Sequence, residues 1–329
     1  MKTLRNILRY GADLFFLMRI PLLIPVWTIL LLGWICGAGE VRPLGSLIHG
    51  TIFAEGRLWV TVGGFSLIVA SIYIVNQIRD IETDRINRKL FILPDGHVSE
   101  RAAWVLAALC TAAGIIVPHL LLGRRMTVLF LLSLLLGFAY NLPPFSLKNR
   151  PIGGVVANLI GHGCLTFLAG YYAANEAFGH AMTLTSGILP SLAAGFANAA
   201  VYLTTTIPDA AGDAKTGKIT FTVKWGEKAT AIAATVACAG SLAASFLIVC
   251  NAWVMIVPAL ISLVLFARFA LVTQSGDAFK TFRFPVAVLS ALVALFVPLY
   301  AVLLVVLLVV TRMYYKRRFN LVYPSFSSE

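Results

Sequence analysis

The stretch Asn76-Gln-Ile-Arg-Asp80-Ile-Glu-Thr-Asp84 closes a long apolar run, and its reading decides the rest of the chain. Asn76, Asp80 and Asp84 are spaced by four, and four residues of α-helix rotate a side chain by only about 40°. The three therefore project from nearly one face. Like charges at that spacing repel, and two carboxylates with a carboxamide in one stripe suit a hard cation. The spacing returns at Asp209-Ala-Ala-Gly-Asp213, displaced equally for both pairs (209 − 80 and 213 − 84 are both 129). Thr205 stands where Asn76 would, and Lys218 where Lys89 would.

Outward from these motifs the chain is apolar. Its 329 residues are 59% hydrophobic and 12% charged, and apolar runs long enough to cross a bilayer recur along it. Continuous runs without strict alternation predict an all-α polytopic membrane protein rather than a barrel. The net charge of +12 does not indicate nucleic acid, because the basic residues lie mainly between spans, where they set topology and face an anionic substrate. Cys36, Cys110, Cys164, Cys238 and Cys250 are scattered singly, without the spacing of a zinc site or a disulfide framework. The basic N-terminus carries no small-residue cleavage pattern and reads as a retained first helix.

The predicted spans are about 14–36, 58–80, 102–122, 127–140, 152–173, 185–207, 229–249, 252–272 and 284–310. They form one membrane domain over residues 1–329, with a core at about 14–311 and a basic tail at 312–329. If the N-terminus is cytoplasmic, only Arg42, Arg57, Arg124 and Arg125 fall in outside loops, which supports that orientation. Nine spans, however, leave Arg312, Lys316, Arg317 and Arg318 outside. Either the tail is tolerated there or the span count is off by one.

This topology puts both acidic motifs and the Tyr140–Lys148 loop on the cytoplasmic face, making one pocket. Mg²⁺ is usually held by one or two carboxylates plus phosphate oxygens, so two facing sites would clamp a pyrophosphate from both sides. Arg19, Arg79, Lys148 and Lys218 lie at the same helix ends or loops. The apolar helices around this polar mouth suit a long isoprenoid tail. Blander readings stand beside these. A lone DxxxD is a solvated helix end, with Arg85 and Arg88 neutralising Asp84. Tyr140 is equally an interfacial anchor, and Asn158, Gly161 and Gly163 are helix-packing residues. His97, His119, His162 and His180 have no metal-ligand spacing and receive no role.

Together these motifs resemble the UbiA superfamily of intramembrane prenyltransferases. Residues 76–84 are similar to its NDxxDxxxD signature, Asp209–Asp213 to its second DxxxD, and Tyr140-Asn-Leu-Pro-Pro-Phe-Ser-Leu-Lys148 to its Tyr-x-x-Pro-Pro-x-x-x-Lys loop. Gly212-Asp213 followed by Gly217-Lys-Ile-Thr-Phe, and Arg19 with Pro21 and Pro25, extend the likeness. The resemblance implies about nine helices around a central cavity, with cytoplasmic caps and a lateral opening for the lipid tail. It implies that Asn76, Asp80 and Asp84 bind one Mg²⁺–pyrophosphate and Asp209 and Asp213 the other. Arg19 and Lys148 would contact phosphate oxygens, and Tyr140 would lie near the reacting allylic carbon. Two positions depart from the pattern. Gln77 stands where the signature has Asp, and Phe91 opens a segment where the family frequently has Arg. Either Arg88 or Lys89 compensates for that arginine, or its loss signals a different donor or acceptor.

The reading is therefore a Mg²⁺-dependent transfer of a polyprenyl group from an allylic pyrophosphate to a small, most often aromatic, acceptor. The catalytic set is Asp80, Asp84, Asp209, Asp213 and Tyr140; the pyrophosphate-binding set is Arg19, Asn76, Lys148, Lys218, Arg88 and Lys89. The expected setting is a bacterial inner membrane with the pocket opening to the cytoplasm. A transporter with duplicated halves would instead hold its carboxylates at mid-depth in broken helices. A CDP-alcohol phosphatidyltransferase would carry DxxDG followed by Ala-Arg, which is not found here.

Overall fold

The computed structural model describes residues 2–40, 56–86, 91–272, 275–321 and 323, and every regular element among them is helical. Eight helical segments of the described residues are long and apolar enough to cross a membrane. The protein is an integral, multi-pass membrane protein.

The order begins with α1 (Lys2–Leu17) and α2 (Leu23–Gly37), joined by a tight turn at Ile20–Leu22. Next come α3 (Gly56–Arg79), the short α4 (Ile81–Ile86), α5 (Glu100–Leu122) and α6 (Arg124–Asn141). α7 (Pro151–Asn158) continues through a π-helical stretch, Leu159–Leu165, into α8 (Thr166–Phe178). Then follow α9 (Leu189–Thr205), the short α10 (Ala210–Lys215), α11 (Phe221–Ser245), α12 (Trp253–Val272), α13 (Ser275–Phe296) and α14 (Pro298–Phe319).

Local chemistry places several of these boundaries. Ser99 caps α5, its hydroxyl accepting from Ala102 N at 3.2 Å. Pro143 and Pro144 follow the end of α6, where a helix cannot continue, and Pro151 opens α7 at a position that needs no N–H. Close packing is arranged by glycine. A methyl added to Gly33 of α2 would collide with the Phe167 carbonyl, and one added to Gly170 of α8 with the Leu30 carbonyl. These two helices touch backbone to backbone, the usual route to tight association where lipid removes the hydrophobic driving force. Gly163 meets Gly195 in the same way, in keeping with its packing role. The main core gathers Trp34, Phe65, Phe130, Phe167 and Phe296 from five helices.

The last predicted span, 284–310, is corrected by the structure. Val297 leaves helical dihedrals (φ −122°, ψ 79°) ahead of Pro298, as the residue before proline tends to do, and the stretch divides into α13 and α14. α13 starts with Ala278 packed among Ile207 and Ala231 and ends with Phe296 against Trp253, ring centroids 5.5 Å apart. α14 then runs back. Tyr300 Oη meets Thr28 Oγ1 at 2.6 Å, and fourteen residues later Tyr314 bonds Asp13 of α1. The basic end containing Lys316, Arg317 and Arg318 therefore lies on the face that carries α1 and both acidic motifs. Arg318 and its basic neighbours thus share the face of the first helix, which removes the conflict with the positive-inside rule.

Candidate active site

Between the helices lies a cavity of about 450 Å³. Its mouth is lined by Arg19, Asn76, Asp80, Tyr140, Lys148, Asp209, Asp213 and Lys218, and its depth by Val26, Ile29, Phe65, Val69 and Ile72. Residues from both halves of the chain thus meet around one opening.

The first motif bends without losing its register. α3 ends at Arg79 and α4 begins at Ile81, yet Asp80 N still bonds Asn76 O at 3.0 Å and Asp84 N bonds Asp80 O at 2.7 Å. Asn76 and Asp80 reach the cavity. Asp84 does not line it; it is buried on α4, near enough for its charge to act on Lys148. The expected stripe of three is thus two cavity residues with a third behind them. Arg79 is exposed and also lies off the lining. Arg88 and Lys89 fall outside the described residues.

Asp80 is the electrostatic centre of the mouth. Lys148 Nζ donates to its Oδ2 at 2.8 Å, and Lys218 Nζ to its Oδ1 at 3.0 Å. Burial pushes the Asp80 carboxyl up, but the two ammonium groups outweigh burial and hold it below the ordinary carboxylate value. Burial likewise lowers Lys148, against the opposing pull of Asp80, and leaves it below the ordinary lysine value. Asn76 donates its amide to Asn141 Oδ1 at 2.7 Å, so its own carbonyl oxygen is the atom that bond does not use. Tyr140 shares the cavity wall with Tyr202 and Asn158.

Arg19 is delivered by an unusual backbone. It has φ 55° and ψ 43°, a left-handed conformation uncommon for a non-glycine residue, at the point where α1 gives way to α2. Gln77 Nε2 holds the adjacent Leu17 carbonyl at 2.7 Å. The Arg19 guanidinium sits 5.8 Å from the centroid of the Tyr73 ring, within cation–π range.

The donor set suits a hard cation, being three cavity-lining carboxylates, Asp80, Asp209 and Asp213, with the carboxamide oxygen of Asn76. Among the described residues no three His, Cys, Asp or Glu side chains converge on one point. A bound Mg²⁺ would therefore rely on water and phosphate oxygens for its remaining positions, which is its common habit.

The model of the UbiA prenyltransferase family matches residues 26–285. The chain belongs to this family. Among curated relatives, it is 32% identical over 176 residues to a chloroplastic protein of Oryza sativa subsp. japonica named as a probable homogentisate phytyltransferase 2, covering 51% of this chain and 46% of that one. It is also 32% identical over 193 residues to the chloroplastic 2-acylphloroglucinol 4-prenyltransferase of Humulus lupulus, covering 55% and 45%. The chain thus spans about half the length of these relatives. In fold it is similar to a UbiA homolog from Archaeoglobus fulgidus bound to GPP and Mg²⁺, with TM-score 0.63, 19% identity, and coverage of 86% of this chain and 99% of that one.

Within this UbiA chain the cavity also recruits residues to which sequence reasoning gave no site role. Asn158, read as a packing residue, lines the cavity, as do His162, Asn198 and Tyr202. A signal for Tyr202 was present: it follows Tyr73 by the same 129 residues that separate the acidic motifs (202 − 73). The two departures from the UbiA pattern also acquire a local explanation. Gln77 anchors the end of α1, and the Phe91 ring packs 5.6 Å from Phe319 of α14. One ties α3 to the first helix and the other packs on the last.

Proposed function

We propose that the protein transfers a polyprenyl group from an allylic pyrophosphate to a small aromatic acceptor, with Mg²⁺ as cofactor. The observation that carries this reading is the meeting of two acidic motifs from opposite halves around one basic mouth, above an apolar shaft. A transporter's coupling site at mid-depth is not favoured by carboxylates gathered at one end.

Arg19, Lys148 and Lys218 bind the pyrophosphate. Asp80 pre-orients the two lysines, which exchange its oxygens for phosphate oxygens when the donor enters. Asn76 and Asp80 on one side and Asp209 and Asp213 on the other would hold Mg²⁺, with Asp84 behind Asp80, and the ion would supply neutralising charge for the leaving pyrophosphate. Tyr140, beside Tyr202 and Asn158 in the cavity wall, stands at the border of polar mouth and apolar shaft. Its ring faces the allylic carbon as the C–O bond breaks and stabilises the positive charge that develops there. The shaft residues Val26, Ile29, Phe65 and Val69 exclude water, so the cation meets the acceptor before it is hydrolysed. The weight of Lys and Arg on the mouth side supports a cytoplasmic opening, in an inner (cytoplasmic) bacterial membrane.

The test is incubation of purified protein with Mg²⁺, labelled geranylgeranyl pyrophosphate and a panel of phenols that includes homogentisate and an acylphloroglucinol. A lipid-soluble adduct should form, vanish on chelation and return with Mg²⁺. Asp80→Ala and Asp209→Ala should abolish it while membrane insertion persists. Full activity in the double variant would refute the acidic-motif mechanism.

A further inference from the structure

The described residues include four histidines, and three lie away from the cavity. His119 Nδ1 lies 3.1 Å from Thr127 Oγ1, and His180 Nδ1 lies 3.1 Å from the Gly37 carbonyl. His97 packs its ring 5.5 Å from Phe319. His162 differs. It is the one histidine among the described cavity-lining residues, and no hydrogen bond to its ring occurs among those residues. It rides on the π-helical stretch Leu159–Leu165, a type of distortion common at functional sites. Its ring stacks on Tyr73 with centroids 5.7 Å apart and planes inclined by 23°.

The depth of this stack is informative. Tyr73 precedes Asn76 by three residues on α3, so His162 lies about one helical turn, roughly 5 Å, below the carboxamide of the mouth. Asn158, Asn198, Tyr140 and Tyr202 supply further polar groups to the cavity. An isoprenoid chain has no hydrogen to donate to an imidazole nitrogen. A hydroxylated aromatic ring does, and it also suits the stacked Tyr73 and His162 rings.

We infer that His162 recognises the acceptor, taking a hydrogen bond from a phenolic hydroxyl and then its proton. This rests on the prenyl-transfer reading and narrows the acceptor to a free phenol. As the allylic C–O bond breaks, its electron pair leaves on the pyrophosphate. The ring carbon ortho to the hydroxyl forms the new C–C bond, and the phenolic proton passes to the unprotonated ring nitrogen of His162, leaving a dienone. That ring carbon then loses its proton to water, and His162 returns its own to the oxygen. The phenol is restored, with one proton released overall.

The experiment uses the full chain in nanodiscs with geranylgeranyl pyrophosphate and two acceptors, homogentisate and its O-methylated counterpart. His162→Gln and His162→Phe should lower kcat/KM for homogentisate about 100-fold, the lower end of general-base effects. Donor binding should change less than twofold. The preference for the free phenol over its ether should collapse, and the acid limb of the pH profile of kcat/KM should disappear in His162→Gln. Either variant alone is decisive, and its donor binding certifies its fold. Unchanged phenol-over-ether preference in a donor-binding variant overturns the inference and leaves prenyl transfer standing. A wild type that prenylates no phenol overturns the aromatic-acceptor reading and this inference with it.

Discussion

Asp13 and Arg318 stand 305 residues apart and form a two-pronged ion pair, Nε to Oδ1 at 2.9 Å and Nη2 to Oδ2 at 3.1 Å. Tyr314 donates to the same carboxylate at 2.6 Å and stacks on Phe16, centroids 3.8 Å apart and planes inclined by 11°. The first and last helices are thereby joined just ahead of the turn that presents Arg19.

Asp13 is only 2% exposed, so removing its partner strands a buried charge. Arg318→Met should destabilise the protein by about 3 kcal/mol, visible as a lowered melting temperature in detergent. Adding Asp13→Leu should recover much of the loss, because the pair as a whole contributes less than one broken half costs. An unaltered melting temperature in the single variant would show that this seam does not hold the bundle.

The Asp80 carboxyl titrates below its ordinary value because Lys148 and Lys218 outweigh burial. A carboxylate with a depressed folded-state pKa contributes stability above its unfolded value, about 3.9, and loses it as pH falls through the folded one. The melting-temperature gap between wild type and Asp80→Asn should stay constant from pH 8 to about 5 and close below about 4. A gap already closing near pH 6 would contradict the two-lysine environment.

Lys148→Ala and Lys218→Ala should each weaken pyrophosphate-donor binding by about tenfold or more, the worth of one charge-assisted hydrogen bond. Both lysines share Asp80, so the double variant should lose less than the product of the single losses. Titration with a non-hydrolysable prenyl pyrophosphate analogue measures this. Donor affinity unchanged in both single variants would remove the lysines from the site.

Where α2 and α8 touch backbone to backbone, Gly33→Ala or Gly170→Ala should cost about 1–3 kcal/mol through overpacking. Thermal unfolding in detergent reads the effect, which should be absent for Ala at Gly63, where an added methyl meets open space.

Much of the candidate site was legible along the chain. The recurrence of Asp80 and Asp84 at Asp209 and Asp213 paired two motifs, and alternating spans put them at one face with Lys148. The last helices were not legible, because residues 284–310 carry no charged residue and hydropathy does not mark a one-residue reversal. The only local hint was the proline after Val297, and prolines also occur inside α5 and α12 without ending them. Asp84 was placed with Asp80 by ideal periodicity, and the bend between α3 and α4 took it off the lining.

The membrane class, the two acidic motifs and their shared face follow from the sequence alone, since apolar length and charge bias are properties of the linear chain. Which side chains look into the cavity was decided only by tertiary structure. A helix that is apolar all round carries no stripe to say which face is buried. The inward placement of His162 on a π-helical stretch, the left-handed turn at Arg19 and the return of Arg318 to Asp13 depend on contacts between segments that no spacing encodes.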